Sequence, residues 1–485
     1  MRIVLGLDIG TTSLSAVAFD ADEQRVVTQA VLPNRGALYE DLPGGLLGAE
    51  LDLAIVHDQL IELLGQIAAA LPDREAVRAI GLTGQQHGMA LFDEQLYPAG
   101  RAITWQDQRT LCPYGSGTAT WLEAFVAKAG GEGAFDHTGC RPAAGLMGPS
   151  LYWVLRQASG PRQFAHACLI PDAAFVLLTG CPPVTDVTDG ASSGLVDIVH
   201  GEWAWEIIER LKLPPSLFPP IHPAGLPFGT LDAAISRVTG LPRVPVCVAA
   251  GDNQASFAGS VRDPGRSVLV NVGTGGQVSV VIPTYGTAEG LETRAYFGGL
   301  FLLVGAGLYG GRAYAYLRSF FESVGQTIYD MSTCDDLYGR MNKLAEATPP
   351  GADGLRCRPL FTGTRTNPDT RASLTGIGPT NFTPGHLARA LLEGIAEGFG
   401  EMYAAMRPLS GGRSTLVGAG NGLTLNPLLA AIVADRFDLP LHLAGTTEAA
   451  ALGAALLAAN GAGILSIEEG SRSIVYDRVI QPETP

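Results

Sequence analysis

The sequence predicts an α/β protein of two duplicated domains with a ligand-binding cleft between them, and three observations carry that expectation. The chain has 485 residues, 46% of them hydrophobic, more than a single core accommodates. A strand, a Gly-Thr turn and a second strand occur twice. The first copy is Leu5-Gly6-Leu7-Asp8-Ile9-Gly10-Thr11-Thr12-Ser13, running on to Asp20, and the second is Val268 to Val281 around Gly273-Thr274-Gly275. Internal similarity at this separation indicates duplication rather than a solenoid. Elsewhere, short apolar runs end in glycine and polar residues and then give way to helical spacing, as in α/β folds with ligands at the strand ends.

Each hairpin turn offers bare backbone and hydroxyls. In the first, Gly10 permits a tight turn and close approach of a ligand. Thr11, Thr12 and Ser13 supply N–H and O–H donors suited to phosphate oxygens. Asp8, at the strand end, is placed to hold Mg²⁺ through water. Two such hairpins facing across a cleft would grip a polyphosphate from both sides. The structural alternative for either hairpin alone is an ordinary polar turn.

Composition narrows the partners. The net charge of −15 argues against nucleic acid and against an anionic membrane surface. The seven cysteines are dispersed without a CxxC pair, which reads as reduced thiols in a cytoplasmic protein without a zinc site. The chain opens on a strand rather than a signal peptide, and no apolar run is expected to span a bilayer. Oligomeric state is not given by the sequence, and a homodimer stays open.

Along the chain, residues 33–48 read as a Gly/Pro-rich loop, and 51–71 as an amphipathic helix. A strand over 77–82 ends in Gly84-Gln85-Gln86-His87-Gly88. Trp105-Gln106-Asp107-Gln108-Arg109 combines a sugar platform, a hydroxyl acceptor and a cation; its bland reading is a buried Trp with a surface ion pair. Residues 121–180 read as helical, and the polar stretch Thr185 to Ser193 faces either substrate or solvent. Pro242 to Pro245 read as a hinge, giving domains 1–243 and 244–485. After it, Val246 to Ala250 is a buried strand that ends in Gly251-Asp252-Asn253-Gln254. An acid there suits a catalytic base, and its bland reading is a helix N-cap. Further on come an irregular loop at 360–368, a long helix from Pro384, and a strand–glycine–helix turn at Gly418-Ala419-Gly420-Asn421-Gly422 suited to a nucleotide. A small-residue helix follows Thr447.

These motifs, with Glu448-Ala449-Ala450-Ala451-Leu452-Gly453, resemble in sequence order those of the FGGY family of carbohydrate kinases from residue 3 to about 460. The resemblance implies two ribonuclease-H/actin-like domains, an active-site cleft between them, and ATP, Mg²⁺ and a sugar or polyol as ligands. By motif position, Asp252 would be the base, and Asp8 with Asp252 would hold Mg²⁺. Gly10, Thr11, Thr12, Ser13, Gly273 and Thr274 would contact phosphates, while Gly310, Gly420, Asn421 and Asn426 would line the nucleotide pocket. Gln86, His87, Trp105, Asp107, Arg109, Asp252 and Asn253 would bind the sugar.

Within the family, Gln86-His87 stands where glycerol kinases carry Arg-Glu, which disfavours glycerol. Gly251 to Gln254, Trp105 to Arg109 and the Gly420-Asn421-Gly422 turn look closer to sedoheptulokinase. The stretch Thr185 to Ser193 resembles the xylulokinase loop with one extra residue. The resemblance thus implies ATP-dependent phosphorylation of a primary hydroxyl of a ketose, sedoheptulose first, with xylulose or another ketose or polyol as the alternative. An actin-like ATPase shares the hairpins, but has no reason to carry the sugar-facing set.

Overall fold

The computed structural model describes residues 1–483 apart from 158–163, 308, 332–334, 364–366, 368 and 446. The chain forms two compact units. The first comprises Met1–Arg262, Arg294–Phe301 and Glu448–Ile474; the second comprises Asp263–Thr293, Leu302–Thr447 and Val475–Pro485.

The first unit is organised on a mixed sheet of β1 (Ile3–Ile9), β2 (Ser13–Asp20), β3 (Arg25–Pro33), β4 (Val77–Gly84), β5 (Pro227–Thr230) and β6 (Pro245–Cys247). The order is β5-β6-β4-β1-β2-β3, and Ala250–Gly251 adds a second parallel pairing to β4. Strand β1 is antiparallel to β2 and parallel to β4. Both its faces are covered, so Ile3, Leu5, Leu7 and Ile9 on one and Val4 on the other are all fully buried.

In the second unit, β7 (Ser267–Val272), β8 (Gly276–Ile282), β9 (Phe301–Gly307), β10 (Thr415–Ala419), β11 (Leu441–Ala444) and β12 (Tyr476–Ile480) run in the order β9-β8-β7-β10-β11-β12. Strand β7 is antiparallel to β8 and parallel to β10, and β10 is parallel to β11. Both units therefore place a hairpin partner on one side of the central strand and two parallel strands on the other, closed by an antiparallel edge. The duplication legible in two short motifs extends to the whole topology.

Helix Leu53–Ala70 begins where the Asp52 carboxylate accepts from the N–H of Ala54 at 3.0 Å. Its Leu53, Val56, Leu60, Leu63, Leu64 and Ile67 enter the core. By length and composition this helix could cross a membrane, contrary to the sequence expectation; it carries Asp58 and Glu62, and 44% of it is buried in the first unit.

The sequence-distant helix Ala449–Gly461 packs on β1, β4 and helix Asp252–Ser260, all within the first unit. The crossing is backbone on backbone. A Cβ at Gly6 would lie 1.9 Å from the Ala451 carbonyl oxygen, and one at Gly453 would lie 1.9 Å from that of Ala255. The alanines of this helix are thus chosen for approach, as expected from its small residues.

Several expectations need correction. Residues 33–48 are not loop: Ala37–Leu42 and Leu46–Leu51 pair as an antiparallel hairpin. Among the described residues, the stretch 121–180 holds three α-helices, Trp121–Ala129, Met147–Gln157 and Ile170–Thr179, and a short strand, His166–Cys168. The boundary placed between 243 and 244 falls inside the first sheet, since Pro245 opens β6; proline at a strand start reads as a hinge but is tolerated there. Asp252 consequently belongs to the first unit. Of the loop at 360–368, positions 364–366 and 368 lie outside the described residues.

Candidate active site

Asp252 is the first residue of helix Asp252–Ser260, and Gly251 is the cap. The carboxylate is therefore not spent on capping, and it stays half-buried. Burial raises its pKa from 3.8 to about 6, against the opposing pull of the Asn253 N–H, the Arg294 guanidinium and the Gln86 N–H. Such a group is ionised at neutral pH and close enough to it to exchange a proton. Gly251 is required here, because a Cβ would lie 2.3 Å from Gln86 Nε2 and 2.7 Å from Gln254 Oε1.

The stretch Thr185 to Ser193 turns inward and holds this region together. Gln86 Nε2 donates to the Thr188 carbonyl at 2.9 Å, and the Gly251 N–H donates to Thr188 Oγ1 at 3.1 Å. The His87 N–H donates to Ser192 Oγ, and His87 Nδ1 lies 2.9 Å from the Ser192 carbonyl. His87 adopts φ 76°, a left-handed conformation costly for a non-glycine residue and held here by those two bonds. Beneath lie Asp172, Asp186 and Asp189, whose pKa values burial pushes up. Gln86, His87, Asp252 and Asn253 are thus brought into one neighbourhood of the first unit.

Asp8 is half-buried at the end of β1, and its Oδ1 has no hydrogen-bond partner. Burial, then the charges of Asp252 and Glu448, raise its pKa from 3.8 to about 7. An orphaned carboxylate oxygen among like charges fits a divalent cation. One or two carboxylates, completed by water and phosphate oxygens, is the usual protein share of a Mg²⁺ site. Consistent with that sparse share, no cluster of three or more metal-ligating side chains occurs among the described residues. Beyond Asp8, the Gly10 N–H donates to the Ser13 carbonyl at 2.9 Å and closes the turn, leaving Thr12 exposed. Trp105 is 45% exposed, and its Nε1 donates to Thr11 Oγ1 at 2.9 Å, joining the expected platform to this hairpin.

Asp107 and Arg109 are placed differently from the expectation. Asp107 Oδ1 accepts from the N–H and Nε of Arg109, and Oδ2 accepts from the Ala49 N–H and Arg109 Nη2, all at 2.8–2.9 Å. Four donors fill the acceptor capacity of the carboxylate, so none is left for a sugar hydroxyl. Arg109 Nη2 also donates to Glu50 at 2.8 Å. The bland reading, a buried Trp with a surface ion pair, is reversed: the pair is buried and Trp105 is exposed. The pair fixes the loop that carries Trp105.

In the second unit the turn at Gly273-Thr274-Gly275 is exposed at its tip and anchored behind. The N–H groups of Gly311 and Arg312, opening helix Gly311–Tyr329, donate to the carbonyls of Gly273 and Thr274 at 2.9 and 3.0 Å. Gly310 admits this docking, since a Cβ would sit 2.5 Å from the Gly275 carbonyl oxygen. Gly420 lies against Val272 of β7, Asn421 opens a short helix, and the Asn426 side chain caps helix Pro427–Phe437 and donates to Asn342 Oδ1 at 3.2 Å. Gly273, Thr274, Gly310, Gly420 and Asn421 thus share the end of one sheet. A cavity of about 980 Å³ against Tyr309, Arg356, Arg389 and Glu397 is lined by none of them.

Residues 3–259 match the FGGY family of carbohydrate kinases, N-terminal domain, and residues 268–462 match its C-terminal domain. The chain belongs to the FGGY family of carbohydrate kinases. It is an ATP-dependent phosphotransferase acting on an alcohol group. A glycerol kinase of Paracidovorax citrulli is 27% identical over 96% of this chain and 92% of its own. The xylulose kinase of Rhodospirillum rubrum superposes with a TM-score of 0.85 at 28% identity, covering 99% of this chain and 94% of that one. Glycerol kinase of Plasmodium falciparum with ADP shares the fold, at a TM-score of 0.81 and 20% identity over 100% and 95%.

Reading the sequence missed Arg294, Glu448 as a neighbour of Asp8, and the inward course of Thr188 and Ser192. Arg294 sits in the strand Glu292–Ala295, which has no motif to single it out. The Thr185 to Ser193 stretch was visible as polar, but its direction depends on partners about a hundred residues away.

Proposed function

We propose that this FGGY kinase phosphorylates a primary hydroxyl of a ketose, sedoheptulose giving sedoheptulose 7-phosphate being the preferred reaction. The supporting observation is the single hydrogen-bonded neighbourhood of Gln86, His87, Thr188, Ser192 and Gly251, with Asp252 beside it. A site edged by amide and imidazole groups suits a polyhydroxyl acceptor, whose hydroxyls both donate and accept.

In this reading Asp252 accepts the proton of the attacking hydroxyl, and Gln86, His87 and Asn253 orient the sugar over Trp105. Gly10, Thr11, Thr12 and Ser13 in the first unit, and Gly273 and Thr274 in the second, take phosphate oxygens. Gly310, Gly420, Asn421 and Asn426 take the rest of the nucleotide. Asp8, with Asp252, would hold Mg²⁺, which when bound supplies charge neutralisation of the triphosphate. Phosphoryl transfer rests on such positioning and charge rather than on covalent catalysis. Asp107 and Arg109 act as a brace for Trp105.

Xylulose is the second reading, favoured by the 28% identity with a solved xylulose kinase over nearly all of both chains. The test is ADP release with sedoheptulose, xylulose, gluconate, glycerol and pentitols, with the phosphorylated carbon located by NMR. A higher kcat/KM for xylulose replaces the heptulose assignment, and phosphorylation of polyols alone removes the ketose reading.

A further inference from the structure

A small niche, partly open, lies near Asp252 in the first unit, lined among others by Gln86, His87, Thr188, Ser192, Gln254 and Arg294. Its volume, about 10 Å³, is that of one water or one hydroxyl. Gln254 is 1% exposed. Its Nε2 donates to the Ala295 carbonyl at 3.0 Å, which fixes the amide orientation and leaves Oε1 as the other end. That Oε1 is buried without a hydrogen-bond partner. It lies 2.7 Å from the position a Cβ would take on Gly251, and Gln86 Nε2 lies 2.3 Å from the same point. An acceptor oxygen and an amide donor thus converge at the residue preceding Asp252, at the edge of a space sized for one O–H. A buried acceptor left unmatched costs free energy, so the arrangement is built for a donor that arrives from outside the chain.

We propose that this niche is the subsite for one hydroxyl of the acceptor sugar, with Gln254 Oε1 accepting from that hydroxyl and Arg294 donating to its oxygen. Gln254 and Arg294 are then specificity-determining residues. The hydroxyl they read is a non-reacting one, since the reacting hydroxyl belongs to Asp252. An apolar or deoxygenated carbon at that position leaves Gln254 unmatched, so the niche rejects acceptors that lack the hydroxyl. The inference rests on the ketose reading for its probe, and not for its logic.

The experiment compares wild type with Gln254→Met in steady-state kinetics on sedoheptulose, xylulose and their singly deoxygenated analogues. ATP is saturating and melting midpoints are recorded in parallel. Gln254→Met should raise KM for the full ketose by about 10- to 100-fold, the range for one buried hydrogen bond, with kcat and the KM for ATP little changed. One deoxy analogue should be used equally well by both proteins, because the interaction is absent in each. Arg294→Gln should penalise the same analogue least. An unchanged ketose KM with a lowered melting midpoint means a structural water only, and overturns the proposal. Equal penalties on every analogue do the same. Should Gln254→Met not fold, Arg294→Gln carries the same comparison, and equal penalties on every analogue in that variant overturn the proposal. If wild type phosphorylates no ketose, the ketose reading fails by itself, and the deoxy series is run on the acceptor it does phosphorylate.

Discussion

Replacing Asp8 by Asn should make the protein more stable while disabling it, and the gain should depend on pH. The folded carboxyl titrates near 7 instead of 3.8, so the native state holds this proton more tightly than the unfolded chain does. Stability from that proton is complete below about pH 4 and is lost as pH rises through 7. Raising the pKa from 3.8 to about 7 is worth ~4 kcal/mol, all of it forfeited by wild type at pH 8. Asn cannot ionise and escapes that loss. Part of the gain is returned because its amide still occupies a half-buried site, so ~2–4 kcal/mol is the expected difference at pH 8. The assay is the urea midpoint of wild type and Asp8→Asn in EDTA at pH 4, 5, 6, 7 and 8, with phosphotransfer activity measured separately in Mg²⁺. The two curves should lie closest at pH 4 and diverge steadily towards pH 8, while activity falls. A variant less stable at pH 8, or a difference that does not change with pH, refutes the reasoning.

Three further outcomes follow from the site and the fold. Asp252→Asn should lower turnover by at least ~10²-fold, the scale of general-base catalysis, while ATP affinity measured by calorimetry stays intact. Asp107→Asn should cost ~1–3 kcal/mol, because charge-assisted bonds to Arg109 are lost while its pair with Glu50 remains, yet the folded fraction should keep its sugar KM; a selective rise in that KM would return Asp107 to the sugar site. Gly453→Ala should lower the melting midpoint of the first unit, because the added methyl meets the Ala255 carbonyl and overpacking of this kind costs ~1–3 kcal/mol; an unchanged midpoint would show that the crossing is looser than 1.9 Å implies.

What could be read from the sequence was local or repeated. The two hairpins, helix Leu53–Ala70 and the helix opening at Asp252 follow from apolar spacing and glycine placement within a few residues. The hairpin at 37–51 was hidden because its strands lack polar–apolar alternation, and Pro43-Gly44-Gly45 between them reads as loop. Asp107 was misplaced because an acid two residues from an arginine reads equally as ligand or brace. Only the Ala49 N–H, supplied from a distant strand, decides between them. The domain boundary was placed by its prolines, whereas the sheet continues through Pro245 by long-range pairing.

The helix Ala449–Gly461 has a consequence for how this polypeptide comes into being. It closes a sheet whose first strand, Ile3–Ile9, precedes it by most of the sequence. Gly6 and Gly81 are left facing a missing partner until residues 451–454 have been made and have cleared the ribosome. The first unit therefore waits for residues up to 474, and the second waits for β12 at Tyr476–Ile480. A chain halted before residue 449 leaves open the face of β1 and β4 that this helix covers, so the first sheet depends for its completion on a segment far away in sequence.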